Sequence, residues 1–534
     1  MSEREELKNT GALLVSALDR YIDANSVIRN GYLERDSLVI TPPGHPSHVE
    51  SELQFVEALE LKLQTLERLM KQTRNCSTTL VLIHKLPSEL LARIFQFVFE
   101  PRPKTDWRSC PETISRVCTR WRNLSISLPA LWRRIDLPFI RIIDKSLVVR
   151  GRLFASRAHP LPLDVSLYAP YTYHEVYGGS SIQTLVQKIA PHIGSLELDT
   201  HWKECNLILS SFLPKCKPGV LKTLTMCHDS PTGMFFDAPT GHRLPAYLSL
   251  LYTDIEIGGS AAERAEFDRV LASLTTLRLT GFYPFWTSQA YHGLIELRLL
   301  RGSLRPDKAV ISEDHLIGIL RASPALRILE FSLTIVEALF EDSSISPISL
   351  EDLESLSITQ VADNKLGALL RWVAPGLKPF QLVINLNPDR DVELLDDQVT
   401  SFFARSQVSE IYTEANNHET VIKLLNLCPR LQTLACSHIR DSQPLQPEQD
   451  DPIISHATLR SLWIVHSSLD TARLLNIIKG SPALREILIW RCLYEGRLLS
   501  SPLYAGHVQA MAELGPKVKT IDHDPTRNWE ISVS

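Results

Sequence analysis

The sequence lacks the short motifs by which many enzymes are recognised. It contains no Gly-x-x-x-x-Gly-Lys-Ser/Thr loop, no Gly-x-Gly-x-x-Gly, no Gly-x-Ser-x-Gly and no His-Glu-x-x-His. The usual signatures of nucleotide-binding proteins, hydrolases and metalloproteases are therefore missing. It also has no Cys-x-x-Cys pair, and its 17 histidines do not cluster with cysteines at metal-ligand spacing. We therefore expect no catalysis, no cofactor and no metal ion.

The sequence is also poor in features that would place it in a membrane, on nucleic acid or in an oxidising compartment. It has no run of about 18 apolar residues, and no apolar run follows the acidic start Met1–Glu6, so we expect neither a membrane span nor a secretory signal. A net charge of only −5 offers nucleic acid little attraction. The nine scattered cysteines, an odd number, are typical of reduced thiols and favour the cytoplasm or nucleus.

Among the features that are present, a group of short apolar helices is predicted between Leu86 and Leu137. Pro87 suits a first helical turn, and a carboxylate at Glu89 is favoured by the helix dipole. A second helix is predicted over Ile114–Leu124, where apolar residues recur at every third or fourth position, and a third begins at Leu128-Pro129. The apolar residues of the first helix form two rows, Leu86, Leu90, Ile94 and Val98 in one and Leu91 and Phe95 in the other.

Three short helices in about fifty residues form a unit too small to bury all of this apolar surface by itself. At about 1.5–3 kcal/mol for each large apolar side chain that is fully buried, three or four such residues left over would make a substantial docking patch. The alternative is that all of them form the core between the helices.

The whole stretch resembles the F-box. The resemblance rests on Leu86-Pro87, Glu89-Leu90, Ile94-Phe95, Val117-Cys118-x-x-Trp121 and Leu131-Trp132. It is closest to the F-box-like variant common in basidiomycete fungi, in which the first connection is extended, here 100–111 with Trp107, and the segment ends in Leu-Pro-x-Leu-Trp. This resemblance implies docking on the Skp-type adaptor of a cullin-RING (SCF-type) ubiquitin ligase, in which the following domain selects the client. The positions that it assigns to adaptor binding are Leu86, Pro87, Leu90, Ile94, Val117, Cys118 and Trp121.

Two segments precede this stretch. Residues 1–47 contain a short amphipathic segment, Leu13–Ile22, and then a loop, and we expect this lead segment to be partly flexible. Residues 48–75 carry apolar residues at heptad spacing and are predicted to form an amphipathic or coiled-coil helix. Three heptads allow a homodimer, but packing on the neighbouring domain or a single amphipathic helix is the favoured interpretation.

Residues 138–534 carry an internal repeat of the form apolar, two residues, apolar, one residue, apolar. Counting weaker copies, the starts recur about every 27 residues, within the range of leucine-rich repeats. Helical segments ended by a proline, such as His315–Pro324, Val421–Pro429 and Thr471–Pro482, lie between copies. The ten clear starts are Ile193, Leu221, Leu274, Leu294, Leu326, Leu353, Leu377, Leu431, Leu459 and Leu484, and the three weaker ones are Leu248, Val408 and Val518.

This pattern resembles the irregular leucine-rich repeats that follow the F-box in many substrate receptors. It departs from the common form at the ninth position, usually Asn or Cys, where only Cys492 conforms. We therefore expect the asparagine ladder to be missing. Residues of the predicted strands that point away from the core are candidates for client contact, namely Glu197, Arg278, Arg298, Ser357 and Trp463.

The sequence thus predicts an α+β multi-domain protein with a lead segment at 1–47, a helix at 48–75, a three-helix F-box at 83–137 and an α/β leucine-rich-repeat-like solenoid at 138–534. The expected function is that of a non-enzymatic substrate-recognition subunit, with the Skp-type adaptor, a cullin and a client protein as partners. The alternative is a scaffold in which the F-box-like helices only cap the solenoid.

Overall fold

The chain is represented by a computed structural model. The structure describes residues 3–33, 45–76, 82–98, 111–138, 145–168, 179–199, 205, 208–209, 212–228, 233–236, 252–255, 261–302, 310–337, 346–359, 366–385, 397–414, 417–439, 455–468, 471–494, 497–498 and 505–529. The chain divides into two compact units, Met1–Leu91 and Ala92–Ser534.

The first unit consists mainly of two long helices, α1 (Glu3–Leu33) and α2 (His45–Cys76). Three glutamates in the first turn of α1 suit the positive end of the helix dipole. Helix α1 is much longer than the predicted amphipathic segment Leu13–Ile22, whereas the helix predicted at 48–75 lies within α2. The two helices meet where the Tyr21 hydroxyl donates to the Glu52 carboxylate and the Tyr21 and Phe55 rings lie 5.8 Å apart.

The heptad residues of α2 are largely exposed in the single chain. Val49 is 50% exposed, Leu66 42% and Met70 50%. The alternative of a homodimer through residues 48–75 therefore stays a prediction.

The stretch with the F-box pattern contains α3 (Ser88–Val98), α4 (Pro111–Ser115) and α5 (Thr119–Ile126). The single helix predicted over Ile114–Leu124 is wrong, because Cys118 has an extended backbone (φ −158°, ψ 171°) and its Sγ accepts a hydrogen bond from the Trp121 amide. The predicted third helix is only a 3-10 turn, Pro129–Leu131. The extended connection that includes Trp107 lies outside the described residues.

The remainder of the second unit alternates strands with helices, which confirms the α+β class. The helices are α6 (Lys145–Ala158), α7 (Gly179–Ile189), α8 (Ala261–Leu271), α9 (Glu313–Ala322), α10 (Leu366–Leu370), α11 (Asp397–Arg405), α12 (His418–Leu427), α13 (Thr471–Lys479) and α14 (Ala505–Glu513). The strands are β1 (Arg134–Pro138), β2 (Leu163–Tyr168), β3 (Ile193–Asp199), β4 (Thr223–Cys227), β5 (Gly233–Phe236), β6 (Tyr252–Ile255), β7 (Thr276–Thr280), β8 (Phe282–Pro284), β9 (Glu296–Leu300), β10 (Val310–Ser312), β11 (Ile328–Phe331), β12 (Thr334–Val336), β13 (Ile348–Leu350), β14 (Ser355–Ile358), β15 (Val373–Pro375), β16 (Phe380–Asn385), β17 (Val408–Glu414), β18 (Thr433–Ser437), β19 (Ser461–Val465), β20 (Glu486–Trp490), β21 (Leu493–Tyr494), β22 (Arg497–Leu498) and β23 (Lys517–Thr520).

Fourteen of these strands form one parallel sheet in chain order, β1-β2-β3-β4-β7-β9-β11-β14-β16-β17-β18-β19-β20-β23. One buried apolar residue from each strand lies beside its equivalent on the next, and we call this row the core column. Each member except Val518 on the last strand is at most 2% exposed. The core column consists of Ile135, Val165, Leu196, Leu224, Leu277, Leu297, Leu329, Leu356, Leu382, Ile411, Leu434, Leu462, Ile487 and Val518.

The predicted order of helix, proline and strand is confirmed at three places. Helices α9, α12 and α13 lie within or beside the predicted segments, and each ends shortly before a proline, Pro324, Pro429 or Pro482. Proline disfavours the helical conformation in the residue before it, and Ser323 and Cys428 accordingly lie outside the helical region. The proline thus separates each helix from the strand that follows.

Two of the predicted repeat starts are wrong. Leu377 is 82% exposed, so it is not a core residue. Val518 pairs with Ile487, which is the second residue of its predicted triplet, so Val518 is not a first residue. Leu248 lies outside the described residues. The described strands β5 and β6, which lie between β4 and β7 in the chain, form a separate three-stranded sheet with β8.

Candidate protein interaction surfaces

One row of apolar side chains on α3 faces solvent. Leu90 is 54% exposed, Ile94 43%, Phe97 58% and Val98 40%. Ile94 lies four residues after Leu90, and Phe97 and Val98 lie three and four residues after Ile94, so all four lie on one side of the helix. We call this row the α3 stripe. Large apolar side chains grouped in this way are typical of a surface that another protein covers.

The second row of the same helix is buried. Leu91 is 0% and Phe95 2% exposed, and the Phe95 ring lies 4.9 Å from the Trp121 ring of α5. Helix α3 therefore uses one row to hold its own domain together and leaves the other row uncovered.

The remaining residues predicted to bind the adaptor have different environments. Pro87 and Val117 are exposed, the latter by 55%, and Leu86 is half-buried. Cys118 caps α5 through its Sγ, 3.5 Å from the Trp121 amide nitrogen. Trp121 is half-buried against Phe95, and among the described residues its indole Nε1 has no hydrogen-bond partner. Cys118 and Trp121 thus have roles within the domain, whereas Val117 and the stripe residues are open to a partner.

Phe97 was missed by the sequence reasoning, although it belongs to the same exposed row. The Arg93 guanidinium lies over its ring, 5.4 Å from the centroid. The signal that could have found it is its spacing of three residues from Ile94, because positions three and four apart share a helix face.

The end of the F-box-like stretch is anchored to the rest of the second unit. Trp132 is fully buried, and its Nε1 donates to the Ser125 carbonyl oxygen at 2.7 Å. Its ring meets that of Phe154 in α6 edge-on at 5.0 Å, and the Arg157 guanidinium lies 4.3 Å from its centroid. Glu112 of α4 and Arg150 of α6 form an ion pair at 3.0 Å. The short helices therefore contact α6, which in turn contacts β1.

A second candidate surface lies on the large sheet. It is formed by the residues that directly follow the core-column residues on each strand. One residue from each strand lies beside its equivalent on the next, and we call this row the face column. All five predicted client-contact residues, Glu197, Arg278, Arg298, Ser357 and Trp463, belong to it. The face column consists of Asp136, Ser166, Glu197, Thr225, Arg278, Arg298, Glu330, Ser357, Val383, Tyr412, Ala435, Trp463, Leu488 and Lys519.

The middle of this face is charged and internally paired. Glu296 accepts from Arg278 at 2.7 Å and from Arg298 at 2.6 Å, and Arg298 also contacts Glu330 at 3.1 Å. Burial alone would raise the pKa of the Glu296 carboxyl, but the guanidiniums of Arg278 and Arg298 together hold that pKa below its ordinary value. The network keeps these side chains in fixed positions on the sheet.

Within the described ranges, no helix combines the length and apolar character that a membrane span requires. Across the same residues, no group of three His, Cys, Asp or Glu side chains is arranged to share a metal ion.

Comparison with protein families finds that residues 83–138 match the F-box-like family. The matched segment contains α3, α4, α5 and the buried Trp132. None of the curated proteins compared with this chain matches it.

Proposed function

We propose that this protein is the substrate-recognition subunit of a cullin-RING (SCF-type) ubiquitin ligase. In this proposal the F-box-like domain at 83–137 docks a Skp-type adaptor, and through it a cullin, while residues 138–534 bind the client protein. The contribution to ubiquitin transfer is positional, because holding a client beside the ubiquitin carrier raises the effective concentration of its lysines. No catalytic group of this chain takes part.

The observation that carries the adaptor assignment is the exposed α3 stripe within a segment that matches the F-box-like family. A helix that buries Leu91 and Phe95 yet exposes Leu90, Ile94 and Phe97 has a second apolar side available to a partner. We propose these three residues, with Leu86, Pro87 and Val117, as the adaptor contacts. Cys118 and Trp121 support the surface by fixing α5.

For the client-binding part we propose a leucine-rich-repeat-like solenoid. Support comes from the fourteen parallel strands in chain order and from the unbroken core column, because stacked repeats place equivalent residues beside one another. The face column forms a second continuous row of side chains on the same strands. It is partly or fully exposed at Glu197, Thr225 and Arg278 and buried at Ser357, Val383 and Ala435. We propose that client specificity resides there, as in other proteins whose strands present residues away from a stacked core.

The test is binding of a purified Skp-type adaptor to the full-length chain, measured by calorimetry. Leu90→Arg combined with Ile94→Arg places two charges on the α3 stripe, and we expect binding at least about tenfold weaker, since burial of an unpaired charge in an interface is costly. Circular dichroism checks that the variant is folded.

The matched control is Gln96→Arg, which adds one charge at an exposed position of the same helix, on the side opposite the stripe. It should bind the adaptor as the unmodified protein does. Adaptor binding that is equal in the stripe variant and the control would show that this surface is not the docking site.

The second candidate function is a scaffold in which the F-box-like helices only cap the sheet. Buried Trp132 and the Glu112–Arg150 ion pair favour it, because they tie these helices to α6. The calorimetric binding experiment distinguishes the two functions, because a capping role alone predicts that the unmodified chain binds no Skp-type adaptor.

A further inference from the structure

Part of the apolar stretch of the face column is covered by Pro525–Trp529, a segment that follows the last strand. Val383, Tyr412 and Ala435 form a buried cluster with Trp529, and Trp463 packs against it. The Trp529 ring lies 6.1 Å from that of Tyr412 and 5.7 Å from that of Trp463, the latter nearly perpendicular at 74°. Trp529 belongs to the 3-10 turn Pro525–Trp529, which follows the last strand.

The apolar positions of the face column lie on five neighbouring strands, β16 to β20, and the residues of the first four pack with Trp529. In the face column the preceding eight positions, from Asp136 to Ser357, are polar or charged. Val383, Tyr412, Ala435 and Trp463 then lie side by side, and we call them the aromatic patch. With strands about 4.8 Å apart, the patch is roughly 14 Å wide, about the span of a short peptide segment.

The C-terminal segment packs the Trp529 ring on the patch, and two of its residues are joined by hydrogen bonds. The Asp524 carboxylate accepts from the Thr526 amide at 2.8 Å and from the Thr526 hydroxyl at 2.6 Å. Beneath Trp529, the indole Nε1 of Trp463 is buried and, among the described residues, has no hydrogen-bond partner. A buried donor without an acceptor is unfavourable, so the patch has an unused polar contact that a different occupant could satisfy.

We infer that the aromatic patch is a docking site for a client peptide segment with an aromatic side chain, and that Pro525–Trp529 occupies this site in the unliganded protein. The client's aromatic ring takes the place of Trp529, and a carbonyl oxygen of its backbone accepts from Trp463 Nε1. The inference rests on the proposed function in that it treats the sheet as the client-binding part.

The test uses the full-length chain with Trp529→Ala and a fluorescently labelled peptide of residues 522–529, measured by fluorescence anisotropy. In the unmodified chain the cis segment competes, and a site that is mostly occupied has a correspondingly weaker apparent affinity. We expect saturable binding to Trp529→Ala that is at least about tenfold tighter than to the unmodified chain. A peptide in which Trp is replaced by Ala should not bind.

Further substitutions in the Trp529→Ala chain locate the site. Trp463→Ala removes the ring that packs edge-on against Trp529 and should weaken peptide binding at least about tenfold. Trp463→Phe keeps a ring and removes only the N–H, so it should give a smaller loss. The matched control is Thr225→Ala, in the same column but outside the patch, which should leave binding unchanged.

A random peptide library displayed on phage, selected on the Trp529→Ala chain, then defines the partner. Enriched peptides that share an aromatic residue and compete with the 522–529 peptide would support the inference. It would be overturned by absence of saturable binding to a folded Trp529→Ala chain, by binding that both Trp463 variants retain in full, or by enriched peptides without aromatic residues. Adaptor binding is measured separately and does not involve the patch, so failure of one proposal is distinguishable from failure of the other.

Discussion

Leu90 and Leu91 are adjacent in the chain, yet Leu90 is 54% exposed and Leu91 is fully buried. The sequence predicts both apolar rows of α3 from their spacing. It does not predict which row is buried, because burial depends on what packs against the helix, here Trp121 against Phe95. The same limit applies to Cys118, whose capping role depends on a backbone conformation that the spacing of apolar residues does not reveal.

This difference gives a pair of substitutions with opposite effects. Leu91→Ala should lower the free energy of unfolding by about 2–5 kcal/mol, because it leaves a cavity in a packed core. Leu90→Ala should change it by no more than about 0.5 kcal/mol, yet weaken adaptor binding. Chemical denaturation and calorimetric binding measure the two effects, and equal destabilisation by both substitutions would contradict the assignment of the rows.

Glu296 should make the stability of the protein depend on acidic pH. Its pKa is lowered in the folded state, so the stability that its carboxylate contributes is complete above its ordinary pKa of 4.5 and is lost as the pH falls through the lowered value. We expect Glu296→Gln to lose less stability between about pH 5 and pH 3 than the unmodified protein, as followed by urea denaturation at each pH.

The control for this substitution is Glu354→Gln, which removes an exposed ion pair with Arg327. Exposed pairs contribute about 0–1 kcal/mol, so this variant should follow the unmodified protein. A pH profile of Glu296→Gln that also matches the unmodified protein would contradict the role given to the Arg278 and Arg298 pair.

At the scale of elements, the turns after the strands contain side-chain hydrogen bonds that the sequence does not predict. The ninth repeat position lacks the usual asparagine, so the sequence predicts no ladder of asparagine hydrogen bonds between the turns. In the structure the Ser467 hydroxyl links two neighbouring turns. It accepts a hydrogen bond from the Ile439 amide at 3.1 Å and donates one to the Val465 carbonyl at 2.8 Å. The Cys492 thiol likewise donates to the Ile464 carbonyl at 3.3 Å. A short hydroxyl side chain can thus link neighbouring turns without matching the common consensus, whereas Cys492 matches it.

Ser467→Ala removes a single hydroxyl group, yet it should clearly lower the free energy of unfolding. It leaves the Ile439 amide buried without an acceptor, which costs about 1–3 kcal/mol, and thermal denaturation should show the loss. Ser468→Ala is the control, because Ser468 is exposed and should change stability by no more than about 0.5 kcal/mol. Equal midpoints for the two variants would show that the turn hydroxyl is dispensable.

At the scale of the whole molecule, the parallel sheet follows from the recurrence of the apolar triplets. The sequence does not predict the small sheet formed by β5, β6 and β8, because apolar triplets alone do not show which strands pair with one another. The covering of the face column by Trp529 was also not predicted, since contacts between segments so far apart in sequence leave no local pattern.

The burial of the sheet core should protect most thiols. Of the seven cysteines whose side chains the structure describes, Cys118 and Cys227 are partly exposed and the other five are buried. Burial raises the pKa of Cys216 and of Cys436 to about 12, so at pH 8 these groups are unreactive thiols. Iodoacetamide should modify Cys118 and Cys227 in the native protein and the buried cysteines only after denaturation, as read by mass spectrometry. Rapid native modification of Cys436 would contradict the core.

The burial of Trp132 has a practical consequence for anyone who dissects this protein by deletion. A shortened chain that begins at Arg133 would lose the indole that packs against Phe154 and Arg157. It would therefore expose an apolar side of α6, the helix that contacts the first strand of the sheet. We expect such a fragment to precipitate through this exposed surface, whether or not it binds a client. The proposed adaptor docking is therefore best separated from the proposed client binding by substitutions on the outside of α3 in the intact chain.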